Sequence, residues 1–158
     1  MKVNRNGVRF ANESTPYDTL CFQAAQQPGG VWCSIFDANA PEDIIRFSTI
    51  GCSAFANQMM AAGMPLEEFV ATSRDAGYLK KADTIEELAG LLGVPADELQ
   101  KTIDRYNELC DKGSDVDFGK KSTYMHKIEK APFWGIRKHI RVSAICAGVN
   151  TNANGQAL

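Results

Sequence analysis

The sequence predicts an α+β fold, a small mixed sheet with helices packed against it. Three observations carry that expectation. Two helical apolar stripes, each with its own start and stop signals, lie between residues 84 and 113. A continuous apolar run of strand length, Val31 to Phe36, ends at Asp37. Asn-Gly pairs at Asn6-Gly7 and Asn154-Gly155 mark hairpins near both ends, which read as β segments with no partner of their own.

Taken in order, Asn6-Gly7 sits between short alternating apolar runs, the signature of a two-residue turn whose two positions both tolerate positive φ. The chain then enters the polar turn Asn12-Glu13-Ser14-Thr15-Pro16. The residue before a proline is biased away from the helical region, so a helix can start only after it. Tyr17 therefore belongs to a strand-to-helix corner, the kind of place where side chains line clefts. Tyr17 to Gln27 reads as a short, largely buried helix carrying Leu20, Cys21, Phe22, Ala24 and Ala25, stopped by Pro28-Gly29-Gly30. Val31 to Phe36 reads as a strand buried on both faces. Pro41 suits the first turn of a helix through Phe47, with Glu42 and Asp43 at its positive end.

Between Gly51 and Gly77, Phe55, Met59, Met60 and Met64 recur at helical spacing and read as core filler, and Pro65-Leu66-Glu67-Glu68 opens another helix. Leu79 to Ala82 is a short extended piece. Thr84 and Glu87 form a capping box, after which Ile85, Leu88, Ala89 and Leu92 make an i, i+3, i+4, i+7 stripe closed by Gly93. Pro95 opens the next helix, whose Leu99, Ile103, Tyr106 and Cys110 face one way until Gly113. Asp115 and Asp117 lack the ligand spacing of a calcium loop and read as a solvated acidic patch. Lys120 to Met125, with His126, reads as an exposed loop. His139 sits among Arg137, Lys138 and Arg141, a basic strand end read as a solvated face. Ile140 to Gly148 reads as a strand with a close-approach glycine.

At 158 residues, with 44% apolar and 23% charged side chains, the chain suits one domain with a real core. A net charge of -2 gives no electrostatic case for nucleic acid or anionic membrane. No apolar run approaches the roughly 20 residues that span a bilayer. Cys21, Cys33, Cys52, Cys110 and Cys146 are scattered, with no C-x-x-C pair and no histidine at ligand spacing. They read as reduced, mostly packed thiols, and no metal is expected.

One resemblance runs through most of the chain. Asn4-x-x-Gly7-x-Arg9-Phe10-x-Asn12-Glu13 resembles the entry to the substrate-capping domain of the FAD-dependent fumarate reductase and 3-ketosteroid dehydrogenase family, to which the succinate dehydrogenase flavoproteins are related. Ile35-Phe36-Asp37, Ala82-Asp83-Thr84-Ile85-Glu86-Glu87-Leu88-Ala89, Thr102 with Tyr106-Asn107, Ala131-Pro132-Phe133-Trp134 and Ala147-Gly148-Val149 with Gln156-Ala157-Leu158 are similar to further motifs of that family, in order. The resemblance implies that residues 1–158 form a single capping domain, excised from a larger protein. Its partners would be the FAD-binding domain of the same parent chain and a small-molecule substrate. FAD would be held by the parent and not by this piece, because no G-x-G-x-x-G follows a strand.

The resemblance also assigns candidate roles. In the fumarate reductases, N-E-x-x-x-R supplies an arginine that acts as acid; here Tyr17 stands four residues after Glu13. Ala144 occupies the place of that branch's histidine. Both departures remove cations that would clamp a dicarboxylate. Asn12-Glu13-Ser14-Thr15-Pro16-Tyr17 instead resembles the ketosteroid dehydrogenases, whose tyrosine at this corner takes a proton beside a carbonyl. Tyr17 is thus the expected catalytic residue, Ser143 and Ala144 lie near substrate, and Ala147 and Gly148 approach the flavin. Arg9, Asn12 and Glu13 brace the corner through buried hydrogen bonds. The alternatives are a fumarate reductase-like enoate reductase using cationic residues from the missing half, and a non-catalytic binding domain that retains the fold.

Overall fold

The computed structural model describes residues 1–39, 71, 77–140 and 148–157. The expected helices at Pro41 and Pro65, the methionine cluster, Cys52, Arg141, Ser143, Ala144, Cys146 and Ala147 lie outside the described residues. The fold is α+β. Strands β1 (Lys2–Asn4), β2 (Val31–Phe36), β3 (Leu79–Ala82) and β4 (Phe133–His139) form one sheet in the order β1-β2-β4-β3. Each of its three pairings is antiparallel. The N-terminal end therefore has a partner after all. β1 lies against β2 with Val3 opposite Cys33, and both side chains are fully buried.

Three α-helices accompany the sheet among the described residues: α1 (Tyr17–Ala25), α2 (Ile85–Leu92) and α3 (Ala96–Lys112). The start of α2 is the expected capping box. Thr84 Oγ1 accepts from the Glu87 N–H at 3.1 Å, and Glu87 Oε2 accepts from the Asp83 N–H. Gly93 ends α2 at φ +64°, with the Val94 N–H returning to Ala89 O, and Gly113 ends α3 in the same manner. Ile85, Leu88, Ala89 and Leu92 are all buried, as are Leu99, Ile103 and Tyr106; the stripe then passes to Leu109, leaving Cys110 half-buried.

The core is the layer between these two helices and one face of the sheet. Gly135 permits the contact, because a Cβ there would stand 2.6 Å from Leu92 Cδ1. Truncating a fully buried leucine such as Leu88 or Leu99 to alanine should cost about 2–5 kcal/mol. Val31, Cys33 and Ile35 point into this layer, while Trp32, Ser34 and Phe36 are only half-buried. Burial of β2 on both faces, as the sequence predicts, is not what the structure shows: its burial alternates, because among the described residues α2 and α3 cover just one face.

Polar side chains tie the loops to this frame. The Asp37 carboxylate accepts from the N–H groups of Asn39, Glu129 and Lys130, joining the exit of β2 to the approach of β4. The Asn107 amide pairs with both backbone groups of Ile128. Arg137 donates to Leu92 O at 2.8 Å, capping the C-terminus of α2.

Candidate functional site

The N-terminal turn sets the site. Asn6-Gly7 does not form the two-residue turn expected of it. The Gly7 N–H donates to Asn4 O and the Asn4 N–H to Val8 O, which makes a three-residue loop, Arg5 to Gly7. Only Gly7 takes positive φ, at +80°. The reason is Asn4, whose Oδ1 accepts from the N–H groups of both Asn6 and Val8 and so fixes the longer loop. The loop sits against the first turn of α3, where a Cβ on Gly7 would meet Leu99 N at 2.9 Å.

The returning strand delivers Arg9 inward, opposite Val3. A buried guanidinium needs several acceptors, and it has them. Arg9 makes a bidentate pair with Asp115, at 3.0 and 2.7 Å, and another with Glu13, at 3.0 Å for each bond. Its guanidinium carbon lies over the rings of Tyr106 and Phe118, at 4.8 and 5.0 Å from their centroids. Lys120 Nζ donates to the Tyr106 hydroxyl at 3.0 Å and stands 3.2 Å from Glu13 Oε2. The side chains of these four charged residues are at most 7% exposed. Two cations thus meet two carboxylates in a buried quartet that is balanced in charge.

The protonation states follow. Burial alone would raise the Glu13 carboxyl; the Lys120 ammonium and the Arg9 guanidinium outweigh it and hold the group far below the usual carboxylate range. Asp115 is likewise pushed up by burial but lowered further by the hydrogen bonds from Arg9. On Arg9 and Lys120, burial acts to lower the pKa, and their carboxylate and phenol partners raise it above its ordinary value. Desolvation raises Tyr106, which stays a neutral phenol. All four charges persist across the physiological range.

Two expectations are corrected here. Asp115 is not part of a solvated acidic patch: it is 5% exposed and accepts from the N–H groups of Asp117, Phe118 and Lys120 as well as from Arg9. Nor is the segment from Lys120 to Met125 an exposed loop at its ends, since both of those residues are buried. The residue pattern alone does not mark Asp115 or Lys120 as buried partners of Arg9 and Glu13. The available signal was Arg9 itself: an arginine at an inward strand position requires buried carboxylates, and Asp115-x-Asp117-Phe118 follows a helix end where such a group is free to turn in. Asp117 meanwhile pairs with Arg105 near the surface.

Beyond Glu13 the corner is held locally. Asn12 Oδ1 accepts from Ser14 N and Oγ, and Asn12 O accepts from Thr15 N and Oγ1. Pro16 then precedes α1, and Tyr17 is its first residue. The Tyr17 side chain is 64% exposed and its hydroxyl has no hydrogen-bond partner among the described residues. The rest of α1 corrects the expectation of a largely buried helix. Only Ala24 is buried, while Cys21 is exposed and Phe22 is 73% exposed. Its apolar residues are spread around the helix and not gathered in one stripe, so a single contact line cannot cover them. Gly148 is exposed, with open space beside its Cα. The structure therefore brings Arg9, Asn12 and Glu13 together with the Tyr17 corner. His139 is exposed at the end of β4, and His126 is half-buried.

The family model described as FAD binding domain matches residues 1–158. The chain belongs to this family. Vinyl phenol reductase of Lactiplantibacillus plantarum is 27% identical over 99% of the chain and 32% of that protein. The 3-oxosteroid 1-dehydrogenase of Mycobacterium tuberculosis is 28% identical over 99% of the chain and 30% of that protein. The chain thus spans about a third of the length of these curated relatives. Among solved structures, the solution structure of a fumarate reductase flavoprotein subunit from Lactobacillus plantarum has the same fold, with TM-score 0.65 and 23% identity. It aligns over 91% of this chain and 84% of that one.

FAD is the cofactor of the family, and the described residues hold no glycine-rich cradle for its phosphates. None of the three helices follows a glycine-rich turn: α1 begins after Pro16, α2 after Thr84 and α3 after Pro95. A cavity of about 230 Å³ between Val8 and α3 is lined by the ion-paired Lys101, Arg105 and Asp117, and is smaller than sites for drug-sized ligands. On α1, Tyr17, Cys21 and Phe22 are exposed. Among the described residues, no helix is long and apolar enough to cross a membrane.

Proposed function

We propose that this chain is the substrate-capping domain of a larger FAD-dependent oxidoreductase. That enzyme would reduce or dehydrogenate a carbon–carbon bond next to a carbonyl, in the manner of the 3-ketosteroid dehydrogenases. The observation that carries the reading is Tyr17: an exposed, unpartnered phenol on the first turn of α1, where the fumarate reductase pattern has an arginine. A neutral hydroxyl in place of a cation favours a neutral, apolar substrate over a dicarboxylate. In dehydrogenation Tyr17 would act as the phenolate, taking a proton from the carbon beside the carbonyl and becoming the phenol; in reduction the phenol would return that proton. FAD, when bound, supplies or accepts the accompanying hydride. Ser143 and Ala144 are proposed to lie near the substrate, and Ala147 and Gly148 near the flavin.

The test is Tyr17→Phe in the full-length flavoprotein, assayed on a cyclic enone or its saturated ketone. Turnover should fall by roughly 10²–10⁴, the usual worth of a positioned acid or base. Stability should change by less than about 1 kcal/mol, because the hydroxyl makes no bond among the described residues. Normal turnover would remove Tyr17 from the chemistry and, with it, the ketosteroid dehydrogenase branch.

A further inference from the structure

From Asn12 to Pro16 the Tyr17 corner is held by its own local bonds. Its base is anchored from a distance: Arg9 pairs with Asp115, 106 residues away in the chain. Asp115 grips Arg9 at two points while three backbone N–H groups of its own loop hold the same carboxylate in place. Arg9 in turn grips Glu13 at two points, and Lys120 closes the ring from Glu13 to Tyr106 on α3. Glu13 stands four residues before Tyr17, with the Asn12 turn and Pro16 leaving little freedom between them. Among the described residues, the Tyr17 hydroxyl has no hydrogen-bond partner that would orient it. Its position is inherited from the quartet.

We infer that Asp115 and Lys120 are positioning residues for the proposed proton transfer, acting through Arg9 and Glu13 on Tyr17. This rests on the reading of Tyr17 given above. Neither residue lies on α1, and neither is expected to touch substrate. What they supply is register, since a misplacement of about 1 Å at a reacting group can cost on the order of 10²-fold in rate.

The experiment uses the full-length flavoprotein with Asp115→Asn, Tyr17→Phe and the double variant, each checked for flavin content and thermal unfolding. Asp115→Asn keeps the shape of the side chain and one acceptor but removes the charge that holds Arg9. Turnover should fall by about 10–10²-fold with KM within about twofold. The double variant should be no more than about twofold slower than Tyr17→Phe alone, because a residue acting through Tyr17 has nothing left to position. Full additivity in the double variant, or a loss confined to KM, overturns the inference while leaving the reading of Tyr17 intact. Normal turnover in Tyr17→Phe alone overturns that reading instead. If Asp115→Asn does not give folded, flavin-loaded protein, Lys120→Met puts the same question from the Glu13 end. If both variants fail to fold, the quartet is a stability element and the inference falls.

Discussion

The same five-residue pattern occurs twice, at Asn4-Arg5-Asn6-Gly7-Val8 and at Asn152-Ala153-Asn154-Gly155-Gln156, and folds the same way both times. In each, the first asparagine's Oδ1 accepts from the N–H groups two and four residues on. In each, only the glycine has positive φ, at +80° and +77°. The surroundings differ completely. The first turn is wedged against α3 and leads to the buried quartet, whereas the second is exposed, with nothing within 4 Å of its glycine's missing Cβ. Local sequence chooses the turn; what lies behind it decides what the turn is worth.

The contrast is sharpest at the glycines. Gly7→Ala adds a strained φ to a 2.9 Å encounter with the backbone of α3, which cannot swing aside as a side-chain tip would. The expected cost is about 2–4 kcal/mol, or roughly 10 °C in Tm. Equal stability of Gly7→Ala and wild type in thermal denaturation would show that the first turn yields as freely as the second.

Asn4→Ala should cost about 2 kcal/mol by denaturant titration. It strips the two loop N–H groups of their acceptor and also loses the bond from Asn4 to Gln27. A change below about 0.5 kcal/mol would mean that the backbone bonds alone hold the loop.

Acid separates the two regions in another way. Glu13 and Asp115 both titrate below their ordinary range in the folded state, so on acidification the unfolded chain binds protons first. The stability they contribute is complete above about pH 5 and is lost progressively as pH falls through and below about 4. Asp115→Asn should flatten that acid limb. The second turn has no ionisable side chain, and its amide resonances should not change between about pH 7 and pH 4. An acid limb unchanged by Asp115→Asn would place the acid sensitivity elsewhere.

The smallest effect belongs to Gly155→Ala. The strain, about 1 kcal/mol, stays within an exposed turn that can open by itself. Amide exchange at Gln156 should quicken while Tm moves by less than about 1 °C. A larger drop would reveal packing against the turn.

These turns also show what the sequence makes legible. Thr84, Glu87, Gly93, Pro95 and Gly113 announce α2 and α3 because their signals act within four or five residues. Pro16 announces the start of α1 for the same reason. The loop at Asn6-Gly7 is longer than that pair alone predicts because a side chain two positions upstream, Asn4, selects it. The exposure of Tyr17 and Phe22 could not be read from their apolar character, since burial depends on which faces the other layers cover. The partnership of Arg9 with Asp115 was out of reach for a deeper reason. Neither residue carries a local preference for the other, and only the completed sheet brings the N-terminal hairpin to the end of α3.

That separation has a consequence for the order of events as the chain folds. The turn at Asn4 can close on the microsecond scale of hairpins, with no help from later sequence. The corner that follows it cannot set, because Arg9 must wait for a carboxylate 106 residues on. Closing so long a span comes late and depends on α2 and α3 having already packed on the sheet. During synthesis, at about 5–20 residues per second, Arg9 would stay solvated for several seconds before Asp115 emerges. The Tyr17 corner is thus made well before Asp115, and is among the last stretches of this chain to take its final shape.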